Sequence, residues 1–252
     1  MKLSRRTFSR QMLGSFMTLT LVKNLSHLEV LGNPVKPVVR KWLIEMESVT
    51  QQLRKGEVQK VEWQNQIETL MSRVDMKELL TAIDFDKLAK RAIFPKDHES
   101  ADDVDFSHSR GLPDELSFSP YFYAMKKGTA IVPHAHTNMT SMHMMLKGQT
   151  QCRQFERVSD ESNYLTIKPT TDKLLDVGAV STMSDEQNNV HWFKALSGPV
   201  FMFNIGVFHL NPAQAVNGRD YIDPLGGEKL SNGLIRARRI EVKQAYKLYG
   251  RS

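Results

Sequence analysis

Cysteine is almost absent: Cys152 is the only one in 252 residues. An intrachain disulfide, a thiolate-rich zinc site and an iron–sulfur cluster are therefore excluded, and any bound metal must be held by His, Asp or Glu. Long hydrophobic runs are also missing. The uncharged stretch 11–22 holds twelve residues, short of the roughly 20 that a helix needs to cross a bilayer, so no stable membrane span is expected. Nor does one sign of charge dominate the body. The formal net charge is +6, but residues 1–30 carry Lys2, Arg5, Arg6, Arg10 and Lys23 against Glu29 alone, leaving 29 bases and 27 acids elsewhere. A nearly neutral body makes no demand for a phosphate-binding face, and no nucleic acid is expected as a partner. The 40% hydrophobic and 25% charged fractions are those of a soluble globular chain rather than a disordered or fibrous one.

The first residues combine adjacent arginines, Phe8 two positions on, and a weakly apolar core diluted by Gly14, Ser15, Thr18 and Thr20. The run SRRTF resembles the twin-arginine consensus of bacterial export signals. That resemblance implies the export machinery as a partner, passage in folded form and a periplasmic or exported location. No clear small-x-small cleavage site follows Val22, so tethering by a retained segment is open.

Beyond this segment the chain divides by periodicity. Residues 31–94 read as a helical region: Val39, Trp42, Leu43, Met46, Val49 and Leu53 recur at three- and four-residue spacing, and Gly56 offers a stop. Trp63, Ile67, Leu70, Met71 and Val74 form a second stripe, and Asp75 with Glu78 predicts a capping box for a short third helix. Residues 95–111, rich in charge and turn formers, read as a linker. From 112 to 212, short apolar runs separated by Gly, Pro, Ser, Asp and Asn predict an all-β domain. Residues 213–252 read as a loop and basic tail.

Within the β region stand His134 and His136, two apart and so on one face of a strand. Gly128 precedes the pair by six residues and Gly148 follows it by twelve, and the string GTAIVPHAHTNMTSMHMMLKG resembles the first cupin motif. Its usual Glu falls at Ser141. The second motif is recognisable in GAVSTMSDEQNNVHWFKALSGPVF, with Gly178 opening the strand and His191 at the last ligand position. The resemblance implies a mainly β fold, a cupin-type double-stranded β-helix or jelly-roll barrel preceded by a short helical region, with His134, His136 and His191 as metal ligands.

A three-histidine cupin without the Glu resembles the thiol dioxygenases. PHAHTNMTSMHMMLKG and NVHWFKA are similar to the corresponding segments of plant cysteine oxidases and cysteamine dioxygenase. Fe(II) is the metal so implied, with O₂ and a small thiol or related molecule as substrates. Three imidazoles also accept Zn, Ni, Mn or Cu. Two other readings stay open: a cupin that binds a small ligand without chemistry, and a metal-dependent cupin enzyme acting on another substrate.

Other residues carry alternatives. His143, two beyond Ser141, shares its inward face as a hydrogen-bond partner of a metal-ligating side chain, a fourth metal ligand or a histidine of the barrel wall. Arg219 stands in a loop dense in donors and acceptors, either over the barrel mouth gripping an anionic group or in a surface salt-bridged turn. Tyr123, with Tyr121 and Tyr164, offers a hydroxyl to a ligand or an aromatic ring to the core. Cys152 is read as a small buried hydrophobe, with a crosslinking or redox role as the alternative. His98 and His108 are expected as solvated loop residues, His209 as structural, and the basic run from Arg236 to Arg251 as a solvated or partner-docking surface. A homodimer is left open.

Overall fold

The computed structural model describes residues 37–106, 112–113, 115–214 and 218–251. The export-like segment 1–30 and His108 lie outside the described residues. Among the described residues no helix is long and apolar enough to cross a membrane.

Among the described residues the first four helices are α1 (Pro37–Arg54), α2 (Lys60–Met71), α3 (Met76–Ala82) and α4 (Phe85–Arg91). The expected stripes face inward, with Trp42, Leu43, Met46 and Leu53 of α1 and Trp63, Ile67, Leu70 and Met71 of α2 all buried. Gly56 closes α1 in the left-handed region at φ +73°. Asp75 caps α3 by accepting from the Glu78 N–H at 2.9 Å.

The strands that follow among the described residues are β1 (Ser100–Asp103), β2 (Ser119–Met125), β3 (Ala130–Ala135), β4 (Met139–Lys147), β5 (Thr150–Asp160), β6 (Tyr164–Leu175), β7 (Val180–Ser184), β8 (Val190–Ala195), β9 (Val200–Phe208), β10 (Asp220–Lys229) and β11 (Ile235–Arg239). One sheet has the order β1-β2-β9-β4-β7, and the other closes on itself as β10-β11-β6-β5-β8-β3. Taking β2 to β9 as strands one to eight, the two sheets read 1-8-3-6 and 2-7-4-5. That alternation is a hairpin wound twice on itself, the double-stranded β-helix of a jelly roll. The fold is mainly β with helices at its N-terminal side, as the sequence reading expects.

Strands β4 and β9 of the five-stranded sheet are covered on both faces, so each is buried along all but its last residue. Its outer residues, Phe122, Met142, Met144, Phe201, Phe203 and Ile205, share one hydrophobic cluster with the four helices. Its inner residues, Met125, Met145, Met183 and Met202, pack against Ile131, Cys152 and Phe193 of the second sheet. The helical region is thus a layer of the same core. Polar ties reinforce it: buried Glu47 accepts from the Ser117 N–H at 2.8 Å and the Ser117 hydroxyl at 2.7 Å, and Gln64 donates to Thr182 at 3.3 Å.

Three boundaries differ from the sequence reading. The expected linker contains β1, which pairs with β2. The expected loop and tail contain β10 and β11, which pair with β3 and β6 and complete the six-stranded barrel; the barrel therefore extends beyond residue 212. A final helix, α5 (Val242–Tyr249), seats Ala245 and Tyr249 against Ala130, Val132 and Trp192. The basic run is divided: Arg238, Lys243 and Lys247 are exposed, whereas Arg236, Arg239 and Arg251 bond within the chain. Arg236 grips Glu161 with two bonds of 2.9 and 2.6 Å and lies over the Tyr164 ring, while Arg239 pairs with Asp160 and Asp220.

Candidate metal centre

His134 lies in β3 and His191 directly opposite it in β8. His136 follows β3 by one residue. A register shift between Ile131 and His134 lets both Ile131 and His134 face the other sheet. The turns that return the chain depend on the motif glycines: Gly148 has φ +82°, and a Cβ there would meet the Pro199 carbonyl, Ser197 Oγ and Val200 Cγ2, each at 2.9 Å. The sequence reading puts the site between the walls of the barrel. Those walls are the two sheets of the jelly roll, and the three rings lie between them beside His143 of one and Phe193 of the other; the closed six-stranded barrel has a separate interior, filled by Phe155, Leu165, Ile167, Ile222 and Ala237.

One ligand nitrogen from each of His134, His136 and His191 lies within 4.8 Å of the others. His134 and His191 are 1% and 2% exposed. Nδ1 of His134 donates to the Val132 carbonyl at 2.7 Å, and Nδ1 of His191 to the Asn189 carbonyl at 3.0 Å. A carbonyl only accepts, so each ring is held in the tautomer that turns an Nε2 lone pair toward the centre. The Nε2 atoms of His134 and His136 are 2.9 Å apart. Two ring nitrogens stay that close only with a proton or a cation between them. With the His134 Nε2 lone pair turned inward, that spacing is an N–H···N hydrogen bond from His136, which a metal ion held by both rings would replace. The three residues present therefore fit a metal.

The electrostatics agree. Burial, reinforced by the other imidazoles and Arg219, holds His134 and His191 well below the ordinary histidine range, and burial with Arg219 holds His136 down to about 3. All three are neutral at physiological pH, the form that binds a metal.

Ser141, where the cupin motif places its Glu, is buried and accepts from Asn204 Nδ2 at 2.7 Å. No carboxylate joins the ligand set among the described residues. His143 lies two residues on, with its ring 6.0 Å from His191, 4.8 Å from Phe193 and 5.8 Å from Tyr123. It stands outside the set of convergent nitrogens. Burial first, then Arg219 and His136, hold its pKa to about 3. Arg219 is tied to Glu99 at 2.6 Å and acts electrostatically on all four imidazoles. It belongs to this side of the molecule, not to a surface turn. Burial, offset in part by Arg219, raises the pKa of Tyr123.

Other expected candidates fall elsewhere. Cys152 is buried 3.6 Å from the Ser181 hydroxyl, and burial raises its thiol to about 11. His209 is exposed at φ +56°, and His98 is exposed beside Asp97. Sequence reasoning missed Asn189 and Glu99. Asn189 carries one signal, its place two residues before His191; Glu99 carries none, since its partner is 120 residues away.

No protein-family model matches the chain, and no curated protein does. Solved structures similar to it include a cupin superfamily protein from Desulfitobacterium hafniense, 11% identical over 48% of this chain and 87% of that one, with a TM-score of 0.31. KdgF from Halomonas sp. is 13% identical over 43% and 76%, with a TM-score of 0.31. An oxalate oxidase in complex with glycolate is 16% identical over 50% and 56%, with a TM-score of 0.35. These likenesses are distant, and the fold stated here rests on the strand order of this chain.

Proposed function

We propose that this protein is an exported, iron-dependent dioxygenase that converts a small thiol to its sulfinate with O₂, binding the metal through His134, His136 and His191. One observation carries the reading: three neutral imidazoles converge in a buried cleft where the carboxylate position of the motif is taken by Ser141.

The chain's own residues prepare the site. Backbone carbonyls fix His134 and His191 so that neither ring has to reorient on binding. Asn189 fixes His136 through its main chain. With Ser141 uncharged, a divalent ion here keeps its full charge, and Arg219 adds a positive field, so an anionic ligand such as a thiolate is favoured over a neutral one. Iron bound by this set supplies redox chemistry toward O₂ and acidifies a coordinated thiol. Both atoms of O₂ end on the substrate sulfur, which supplies the four electrons as thiolate becomes sulfinate.

Export is supported by Arg5 and Arg6 with the short uncharged stretch behind them. Fusion of residues 1–36 to a reporter that functions only after folded export tests it, with a double Arg→Lys variant as the control.

Oxygen uptake by the iron-loaded protein with a panel of small thiols tests the reaction. The expected result is sulfinate formed in equal amount to O₂ consumed. No uptake with any thiol would overturn the proposal and leave a binding protein or an enzyme for another substrate.

A further inference from the structure

Glu99 and Arg219 join the two sheets beside the three-histidine centre. Glu99 stands immediately ahead of β1, and the register of Ala101 with Tyr123 puts it, two residues before Ala101, on the face of β1 that Tyr123 shares. That face points inward, since the Tyr123 ring lies 5.8 Å from His143. Arg219 stands immediately ahead of β10, in which Tyr221 pairs with His134 and brings its ring to 6.0 Å. Two residues before Tyr221, Arg219 takes the same face, at the end of β3 that carries His136. The guanidinium from one sheet and the carboxylate from the other meet at 2.6 Å, with side chains 25% and 7% exposed.

Apart from the imidazoles, the charge that acts on His134, His136 and His191 among the described residues is that of Arg219. Glu99 meets it through Oε1 alone; the other oxygen, Oε2, is enclosed without a hydrogen-bond partner. A carboxylate so enclosed is costly unless an opposite charge holds it, and away from water the two charges are weakly screened. We infer that Glu99 is a positioning residue of the metal centre: acting through Arg219, it fixes the guanidinium on the face of the imidazoles, cancels part of its charge, and so sets how tightly the bound metal holds an anion. The inference rests on the metal centre of the proposed function and goes beyond it, since it requires neither iron nor a thiol. Without the carboxylate, an anion at the metal meets the full positive charge of Arg219 and is held more tightly. Without the guanidinium, it meets a buried negative charge and is held less tightly.

Titration of the copper-loaded protein with azide, an anion, and with imidazole, a neutral ligand, each followed by the visible spectrum, tests this. Glu99→Gln, which keeps an oxygen for Arg219 and removes the charge, is expected to bind azide about threefold or more tighter than wild type, with imidazole affinity unchanged. Arg219→Gln is expected to bind azide more weakly by a similar factor, and Glu99→Asp to stay near wild type. If Glu99→Gln does not fold with Arg219 unpaired, the double variant Glu99→Gln/Arg219→Gln is compared with Arg219→Gln alone and is expected to regain azide affinity. Unchanged or weaker azide binding by Glu99→Gln overturns the inference, as does a double variant no better than Arg219→Gln. An equal change for azide and imidazole overturns it too, since that is the mark of a merely structural role. Failure of wild-type protein to take up copper overturns the metal centre itself and the inference with it. Failure of oxygen uptake with thiols overturns the reaction alone, because this titration uses neither iron nor a thiol.

Discussion

Asn189 holds His136 by both ends of its main chain: Oδ1 accepts from the His136 N–H at 3.3 Å, and Nδ2 donates to the His136 carbonyl at 2.8 Å. The same residue's carbonyl accepts from His191 Nδ1. One side chain thus ties the end of β3 to the start of β8, and two of the three imidazoles are placed relative to each other by it.

Asn189→Ala removes the clamp while leaving every imidazole in the chain. Partners of this kind typically contribute 10- to 100-fold in metal affinity. Metal affinity measured by chelator competition is expected to fall by about that factor, with one metal per chain still bound at saturation.

Replacing a ligand has a different signature. His134→Ala or His191→Ala is expected to abolish stoichiometric metal in protein analysed after purification without added ions. His209→Ala, altering an exposed residue, is expected to leave it intact. Equal metal content in all three would remove the centre.

Acid is expected to destabilise the apoprotein. His136 and His143 are held to about 3 in the folded state by burial first and then by Arg219, against about 6.5 when unfolded. Between those values the unfolded chain binds more protons, so stability is fully present above pH 6.5 and is lost as pH falls toward 3. The slope approaches about 1.4 kcal/mol per pH unit for each such histidine. Thermal melts from pH 7 to pH 4 check this, and a His143→Phe variant is expected to show a shallower decline.

Cys152 is expected to resist iodoacetamide at pH 8 in the native protein and to react on unfolding, since burial raises its thiol to about 11. Mass analysis of labelled protein with and without denaturant gives the readout. Rapid native labelling would contradict its burial between the sheets.

The helical layer is expected to matter to stability as much as the strands. Trp63 is fully buried and donates to Thr50 at 3.2 Å. Trp63→Ala is expected to cost about 3–5 kcal/mol, read from denaturant unfolding as one transition, because the helices and the sheet share a single core.

The site is legible in the sequence to the extent that local rules govern it. A two-residue period places His134 and His136 together, and resemblance to the second cupin motif points to His191. The helices follow from a 3.6-residue stripe and a capping aspartate. What escaped depends on contacts distant along the chain. Strands β10 and β11 contain Pro224, paired glycines and three arginines, and they are held by pairing to β3 and β6 and by ion pairs to Asp160 and Glu161. Nothing in their own composition announces a strand. Glu99 looks like one more acid of a polar linker until β1 docks on β2 and brings it to Arg219. The position of His143 on the inner face follows from alternation. That its Nδ1 is left without a partner depends on where Asn204 and Ser181 direct their own bonds, which only the folded arrangement reveals.

The pairing of Tyr221 with His134 sets a limit on shortening the protein. A product ending at residue 212 would keep every imidazole of the centre, yet β3 and β6 would each present a bare row of amide and carbonyl groups to solvent. Such rows recruit other chains. The expected fate of that truncation is insoluble material rather than a smaller working unit, and solubility of the shortened gene product is the simplest measure of how far the last forty residues guard the rest.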